Sequence, residues 1–396
     1  MYHYKEVTWR FIMNKTRKEK FQDFILNVIR QIVKVWMRID AKTTHTLNDG
    51  FHFKRTTPYV ILGNHAFLFD VIHIQKHFKI TPYSVASQTL FAKQPTKFLF
   101  ENVAHTIPKS KGASDIGAAR MILKSVKKGY PILIFPEGDT TFFGETNYIE
   151  ESTYKLIKKL GIDVVTCTFR GGYLTRPRWA TARRRKRQVH LDYNIAIKAE
   201  ELKTMSVDQI EERVKTYLYN NDYDYQRSHM IKRPSNHLAE GFDNVVYACP
   251  ECQALNTIVA YKNTIKCTNC NTVGKMNDYG FIEGFTYDNL VDWNKFQKPL
   301  SSKLVDTEFE SDAILYLGNY KGGIKKREKV GRIVLKYKDK HLELSGATTA
   351  RIPINEIKNP ILTLRRILNL SYNDQNYILK LEKHVMAFLR VLQEKY

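Results

Sequence analysis

Tyr59-Val60-Ile61-Leu62-Gly63-Asn64-His65-Ala66-Phe67-Leu68-Phe69-Asp70 decides how the first half of this chain is read. Tyr59 to Leu62 is a short apolar run of β type, Gly63 breaks it, and Val71 to His77 has helical character. A continuous helix would set side chains five positions apart about 140° from one another. His65 and Asp70 therefore converge only if His65 lies in the turn and Asp70 in the first turn of the helix. A carboxylate that fixes an imidazole tautomer in this way suits a His general base. A capping Asn and Asp around a buried His would leave the same pattern, so the pair alone does not choose.

Phe135-Pro136-Glu137-Gly138-Asp139-Thr140-Thr141 follows a second strand-like run, Pro131 to Phe135. Pro-x-Gly chemistry also makes ordinary turns. Two polar loops at strand ends, far apart in sequence, are nevertheless what an open α/β sheet uses to build one site. Around them helix and strand alternate. Ile116, Ala119, Ile122, Leu123 and Val126 form a helical stripe that Ser114-Asp115 can cap and Gly129 ends. A helix over Tyr148 to Leu160, stopped by Gly161, precedes a strand from Val164 to Phe169. Gln188 to Ile197 alternates as a further strand, and Ser206-Val207-Asp208-Gln209 has the capping-box form for a helix reaching Tyr219. This order predicts an α/β fold, a sheet covered by helices.

The block Asn64-His65-x4-Asp70, followed by Phe135-Pro136-Glu137-Gly138, resembles the glycerolipid acyltransferase family of 1-acylglycerol-3-phosphate and lysophospholipid acyltransferases. That family carries an Asn-His-x4-Asp block and then Phe-Pro-Glu-Gly-Thr-Arg-Ser, in the same order and at similar spacing. The resemblance implies that His65 takes the proton of an acceptor hydroxyl, that Asp70 orients His65, and that the alkoxide attacks an acyl thioester. The co-substrate would be acyl-CoA or an acidic acyl-carrier protein. No nucleophilic Ser or Cys is then needed, and Cys167, inside the apolar strand, reads as a core residue.

On the substrate side the same resemblance implies Asn64, Lys109, Glu137, Gly138, Asp139 and Thr140. Here the sequence departs from the pattern: Asp139, Thr140 and Thr141 stand where the family has Thr, Arg and Ser, and that Arg is the family's phosphate contact. Val103 to Lys109 is the nearest equivalent of an intervening family segment that ends in Arg, with Lys109 in the Arg position and Lys111 close by. Lysine offers a point charge without the bidentate fork. The expected acceptor is accordingly the hydroxyl of a lysophospholipid such as 1-acylglycerol-3-phosphate, or of a lipid without phosphate.

Charge narrows the partners. Sixty-three Lys and Arg against forty Asp and Glu give a formal charge of +23, which favours anionic partners. Arg176-Pro177-Arg178 and Arg183-Arg184-Arg185-Lys186-Arg187 concentrate that charge without an acid; a solvated loop or a contact for an anionic surface are both open uses. Phe21, Ile25, Val28, Ile29, Ile32, Val33 and Trp36 recur at helical spacing among Lys20, Arg30, Lys34 and Arg38. Such a basic amphipathic helix suits an anionic membrane surface, with Trp9, Phe11 and Ile12 as a second wedge, or the protein's own core. No uncharged apolar run is long enough to span a bilayer and no secretory signal is expected, so the predicted location is cytoplasmic, peripheral on the inner face of the cell membrane.

Cys249-Pro250-Glu251-Cys252 and Cys267-Thr268-Asn269-Cys270 are two Cys-x2-Cys knuckles, and Ile258 to Tyr261 with Thr264 to Lys266 reads as a hairpin between them. Four thiolates suit a closed, structural Zn²⁺; a disulfide framework is the competing use, disfavoured in an intracellular setting. The ribbon with the positive charge also supports a second class, a zinc-ribbon nucleic-acid-binding protein. The two loops of the first half would then have no purpose, and nucleic acid is not expected among the partners. Beyond the ribbon, Gly331 to Tyr337, His341 to Leu344 and Tyr377 to Leu381 read as strands and His384 to Glu394 as an amphipathic helix. Strands closed by one terminal helix resemble a pleckstrin-homology-like barrel. The expected organisation is a membrane-facing helix at 1–45, an acyltransferase domain at 46–240, a zinc ribbon at 241–282 and a β-rich domain at 283–396.

Overall fold

Along Val60-Ile61-Leu62 every side chain is buried, and alternate residues enter opposite faces of one sheet. Val60 and Leu62 pack with Ile132, Val164 and three helices, Ile116–Lys127, Glu151–Leu160 and Val207–Leu218. Ile61 packs on the other face with Leu133, Val165, Cys167, Phe169 and Ile74. A strand covered on both faces needs an unbroken apolar run, which is what the sequence supplies. In the computed structural model the described residues are 16–67, 69–87, 105–109, 116–182, 184, 187–321 and 324–394. They divide into two compact units, Met1–Thr175 with Arg187–Tyr225, and Arg176–Lys186 with Gln226–Tyr396.

The sheet of the first unit has seven strands: β1 Lys42–Leu47, β2 Val60–Gly63, β3 Tyr83–Ser87, β4 Thr106–Lys109, β5 Ile132–Ile134, β6 Val164–Arg170 and β7 Gln188–Ile197. Their spatial order is β1-β7-β6-β2-β5-β3-β4. β6, β2, β5, β3 and β4 are mutually parallel, whereas β7 runs antiparallel to β6 and β1 lies parallel to β7. Leu62 sits opposite both Ile134 and Thr166, so β2 and β5 end within one residue of each other while β6 runs on to Arg170. The loops after β2 and β5 therefore leave the sheet side by side, at the carboxyl ends where open α/β sheets place ligands.

The helix expected from Tyr148 begins at Glu151 instead. Its first positions are held elsewhere: the Thr146 amide donates to the Asn220 carbonyl and the Asn147 amide to Glu137. At the far end Gly161 adopts φ 61°, the left-handed conformation of a helix stop. The capping box is present, with Gln209 N donating to Ser206 Oγ at 3.2 Å and Ser206 N to Gln209 Oε1 at 2.8 Å.

The N-terminal helix spans Arg17–Asp40. Among the described side chains its exposed apolar residues are Phe21, Phe24, Val28, Ile32 and Val35, which fall within an arc of about 80°. The opposite side faces the domain with acids: Glu19 pairs with Lys128, Asp23 Oδ1 lies 3.3 Å from His105 Nε2, and Asp40 Oδ1 lies 2.6 Å from Arg187. Among the described side chains this helix thus meets the domain through acids and turns an apolar stripe outward. Of the other residues singled out in the sequence, Trp9, Phe11, Ile12, Leu68, Val103, Ala104, Lys111, Ser114, Asp115, Arg183, Arg185 and Lys186 lie outside the described residues, as do the side chains of Arg30, Val33, Lys34, Trp36 and Arg38.

In the second unit β8 Ile258–Tyr261, β9 Thr264–Cys267, β10 Val273–Met276 and β11 Ile282–Glu283 form an antiparallel ribbon in the order β11-β10-β9-β8. Beyond it lie β12 Phe309–Lys321, β13 Ile324–Lys338, β14 His341–Gly346, β15 Ala350–Pro353, β16 Lys358–Thr363, β17 Ile367–Tyr372 and β18 Gln375–Leu381. They make one antiparallel sheet in the order β15-β14-β13-β12-β18-β17-β16. The terminal helix, Val385–Gln393, buries Phe388 edge-on against Phe309 at 4.7 Å between ring centres. Part of the basic run serves this unit: Arg178 donates to the Leu362 and Leu364 carbonyls, and buried Arg184 lies 3.4 Å from Met276 Sδ.

Candidate active site

β2 ends at Gly63, where a Cβ would meet Phe135 Cε1 at 2.8 Å and Ile74 Cδ1 at 3.2 Å. The missing side chain lets the Phe135 ring close on His65, with centroids 4.6 Å apart. Asn64 then locks the turn: its Nδ2 donates to the Phe169 carbonyl at 3.1 Å and its Oδ1 accepts from the Phe169 amide at 2.6 Å. The side-chain amide thereby extends the β2–β6 pairing by one step, and His65 emerges at a fixed point.

Asp70 is the first residue of the helix Asp70–Gln75 and is wholly buried. One carboxylate oxygen, Oδ1, accepts from the Val71 amide at 2.7 Å; the other, Oδ2, lies 2.6 Å from His65 Nδ1. The turn and first helical turn required by the five-residue spacing are thus both present. With Nδ1 on the carboxylate, the imidazole has Nε2 for proton transfer, and its side chain retains 21% exposure. Burial disfavours the imidazolium, but the Asp70 charge and hydrogen bond, then Glu137 and Asp139, outweigh it and hold the His65 pKa above the usual value.

Glu137 straps the second loop to the first. Its Oε1 accepts from the His65 amide at 2.7 Å and its Oε2 from the Asn147 amide at 2.6 Å. The His65 carbonyl in turn accepts from the Thr141 amide at 3.0 Å, so His65 is held through both main-chain groups by the loop after β5. Burial pushes the Glu137 carboxyl up to about 7, against the pull of the two amides and His65. Gly138 makes the turn at φ 71°. Asp139 Oδ1 accepts from the Thr140 amide at 2.9 Å, and its carbonyl accepts from Asn147 Nδ2 at 3.3 Å.

The structure therefore brings together Asn64, His65, Asp70, Glu137, Gly138, Asp139 and Thr140. Lys109 is exposed at the end of β4, three strands from β2 and so about 14 Å across the sheet. Phe135 and Thr141 lie in the second block but their roles could not be read from it, and Asn147 had no sequence signal: the Thr141 and Asn147 amides act through the main chain, and the Phe135 ring through tertiary contact. Cys167 is buried in the core as expected, and burial pushes its thiol well above the ordinary range.

In the second unit the sulfurs of Cys249, Cys252, Cys267 and Cys270 all lie within 4.8 Å of one another. Cys249 and Cys270 are 3.9 Å apart and Cys252 and Cys267 3.8 Å. A disulfide requires about 2.0 Å. Four thiolates at about 2.3 Å from a tetrahedral metal stand about 3.8 Å from each other. These four residues are spaced to hold a metal ion.

Residues 44–170 match the family model described as Acyltransferase. No curated protein matches the chain. Among solved structures, the 1-acyl-sn-glycerophosphate acyltransferase PlsC from Thermotoga maritima is similar at 16% identity over 58% of this chain and 90% of its own, with a TM-score of 0.42. A β-glucosidase from Listeria innocua is similar at 8% identity over 85% of this chain and 47% of its own, with a TM-score of 0.18. Both likenesses are too slight to carry a conclusion. The family match encloses both loops and every residue that holds His65, and on that ground the chain carries an acyltransferase-family domain at residues 44–170.

Proposed function

We propose that the first unit transfers a fatty acyl group from an acyl thioester, carried by coenzyme A or an acyl-carrier protein, to the hydroxyl of a lysolipid. The observation that carries this reading is the 2.6 Å contact between His65 Nδ1 and buried Asp70, on a loop strapped by Glu137. Asp70 holds the tautomer whose Nε2 accepts the acceptor's proton, a contribution of about 10²- to 10⁴-fold. Asn64 and Glu137 act as positioning residues, since their polar atoms hold main chain. Lys109 is the cation available for a distant headgroup. Labelled long-chain acyl-CoA and acyl-carrier protein, offered with a panel of lysolipids to the protein and to His65→Ala, test the reading. Product that depends on His65 supports it; equal turnover by a folded His65→Ala protein sinks it.

The same reading places the protein on an anionic membrane from the cytoplasmic side. The outward apolar stripe of the N-terminal helix and the +23 charge support this, and among the described residues no helix is long and apolar enough to cross a membrane. Phe24→Asp with Ile32→Asp should abolish flotation with anionic vesicles; undiminished flotation counts against the helix as the contact. The four cysteines would hold a structural Zn²⁺, and the seven-stranded sheet with its terminal helix supports a pleckstrin-homology-like module.

A further inference from the structure

Asp222 lies beyond the residues that match the family model, in the polar stretch Asn220-Asn221-Asp222 that follows the helix Val207–Leu218. It is nevertheless wholly buried. Its Oδ1 accepts from the Gly171 amide and from Asn220 Nδ2, both at 2.8 Å, and its Oδ2 accepts from the Leu174 amide at 3.0 Å. A buried carboxylate with both oxygens on N–H donors is what Glu137 supplies for the loop after β5. Here the loop held is the one after β6, Gly171 and the short helix Gly172–Thr175.

That loop abuts the one that carries His65. A Cβ on Gly172 would meet Ala66 Cβ at 2.9 Å and Phe67 Cδ1 at 3.3 Å, so Gly172 lies against the two residues that follow His65. It abuts the loop after β5 as well. Tyr173 Oη donates to the Phe142 carbonyl at 3.0 Å, and its ring covers Gly144, where a Cβ would meet Tyr173 Cδ1 at 2.8 Å. The Asp222 amide donates to the Gly144 carbonyl and the Thr146 amide to the Asn220 carbonyl, both at 2.9 Å. The next residue, Asn147, holds Glu137, whose other oxygen holds the His65 amide. Asp222 is thus joined to His65 by two routes, one through Gly172 and Ala66, the other through residues 144–147 and Glu137.

Resting on the acyltransferase reading, we infer that Asp222 is a positioning residue for the transfer: by tying the loops after β5 and β6 together it fixes the main chain on both sides of His65 and keeps Nδ1 on Asp70. Its effect passes through other residues' main chain. A displacement of about 1 Å can cost about 10²-fold in rate, so the link matters well before the fold is lost. Asp163 is the matched control. Its Oδ1 accepts from the Ala199 amide at 2.7 Å and its Oδ2 pairs with Arg55, but it precedes β6, at the end of that strand away from His65.

The full chain, Asp222→Asn, Gly172→Ala and Asp163→Asn are compared by melting temperature, by kcat and KM for acyl transfer, and by the downfield proton resonance of His65 Nδ1, identified by its loss in His65→Ala. Asp222→Asn and Asp163→Asn should both lower the melting temperature. Asp222→Asn should in addition lower kcat about 10- to 10²-fold with little change in KM, and the Nδ1 proton should shift upfield or broaden as its bond to Asp70 loosens. Asp163→Asn should leave kcat and the resonance in place. Gly172→Ala, which keeps every carboxylate and presses on Ala66, should act as Asp222→Asn does, and it decides the matter if Asp222→Asn fails to fold. A kcat and a resonance altered no more than Asp163→Asn alters them overturn this inference and leave the acyltransferase reading intact. Transfer by the unaltered protein to no lysolipid of the panel above overturns that reading, and the resonance alone then tests the link between Asp222 and His65.

Discussion

The His65 site and the four-cysteine ribbon both gather side chains into a small volume, but they are held by opposite means. Glu137 reaches His65 from 72 positions away, through a parallel sheet in which β2 and β5 end within one residue of each other and whose loops are bonded main chain to side chain. The site's geometry is complete in protein atoms. The ribbon gathers its cysteines within a short stretch, and the sulfurs face one another at 3.8 and 3.9 Å with only weak sulfur contacts between them. Deprotonated, four such groups repel; a cation at their centre is what makes the arrangement favourable. One region is a scaffold that can be weakened piece by piece; the other, on the reading proposed above, is a fold that depends on a single ion.

The largest effect should therefore come from the ribbon. Structural zinc contributes about 10–16 kcal/mol to small zinc-finger peptides. Mass spectrometry under native conditions should find one Zn²⁺ per chain, lost in Cys267→Ser with Cys270→Ser. Hydrogen exchange should then lose protection over β8 to β11 while β2, β5 and β6 keep theirs. A metal-free protein with the ribbon fully protected would refute this account.

Next in size is His65, the proposed base. His65→Ala should lower acyl transfer about 10²- to 10⁴-fold without altering zinc content, because the imidazole supports neither the sheet core nor the cysteines. Asp70→Asn should cost less and shift the pH profile as well. The transferring form of His65 is neutral, so kcat/KM should rise with pH through the imidazole pKa, which Asp70 holds above the usual value. Removing that charge lowers the pKa, so the midpoint should move to lower pH while the plateau falls. An unmoved midpoint would mean that the titration belongs to another group.

The contrast also explains what could be read from the sequence. β2 and β6 were legible because burial on two faces demands apolar runs such as Val164 to Phe169, and β7 because its buried and less buried side chains alternate. The knuckles were legible because ligand spacing is a local property. By contrast β1, Lys42–Leu47, is mostly exposed and polar, so no apolar pattern marks it. β13 appeared only in its second half, because Lys325, Lys326, Arg327, Glu328 and Lys329 interrupt the alternation. Within the site, His65 and Asp70 were legible as a motif. That Asn64 and Glu137 hold main chain was not, because their partners, Phe169 and Asn147, are fixed by tertiary folding.

The smallest effect distinguishes a strap from a substrate contact. Both oxygens of Glu137 accept from amides, and a Gln offers one acceptor only. Glu137→Gln would set an NH₂ group against the His65 or Asn147 amide, an unsatisfied donor worth about 1–3 kcal/mol. Thermal stability should fall accordingly at pH 8, and kcat should fall more than KM rises, since His65 is displaced and the acceptor untouched. The pH dependence has a definite sign: a carboxyl raised to about 7 by burial favours the fold at low pH and loses that contribution as pH rises through 7. Gln cannot titrate, so the stability gap between the two proteins should narrow as pH rises through 7. A rise in KM alone, at unchanged stability, would instead make Glu137 a direct contact of the acceptor.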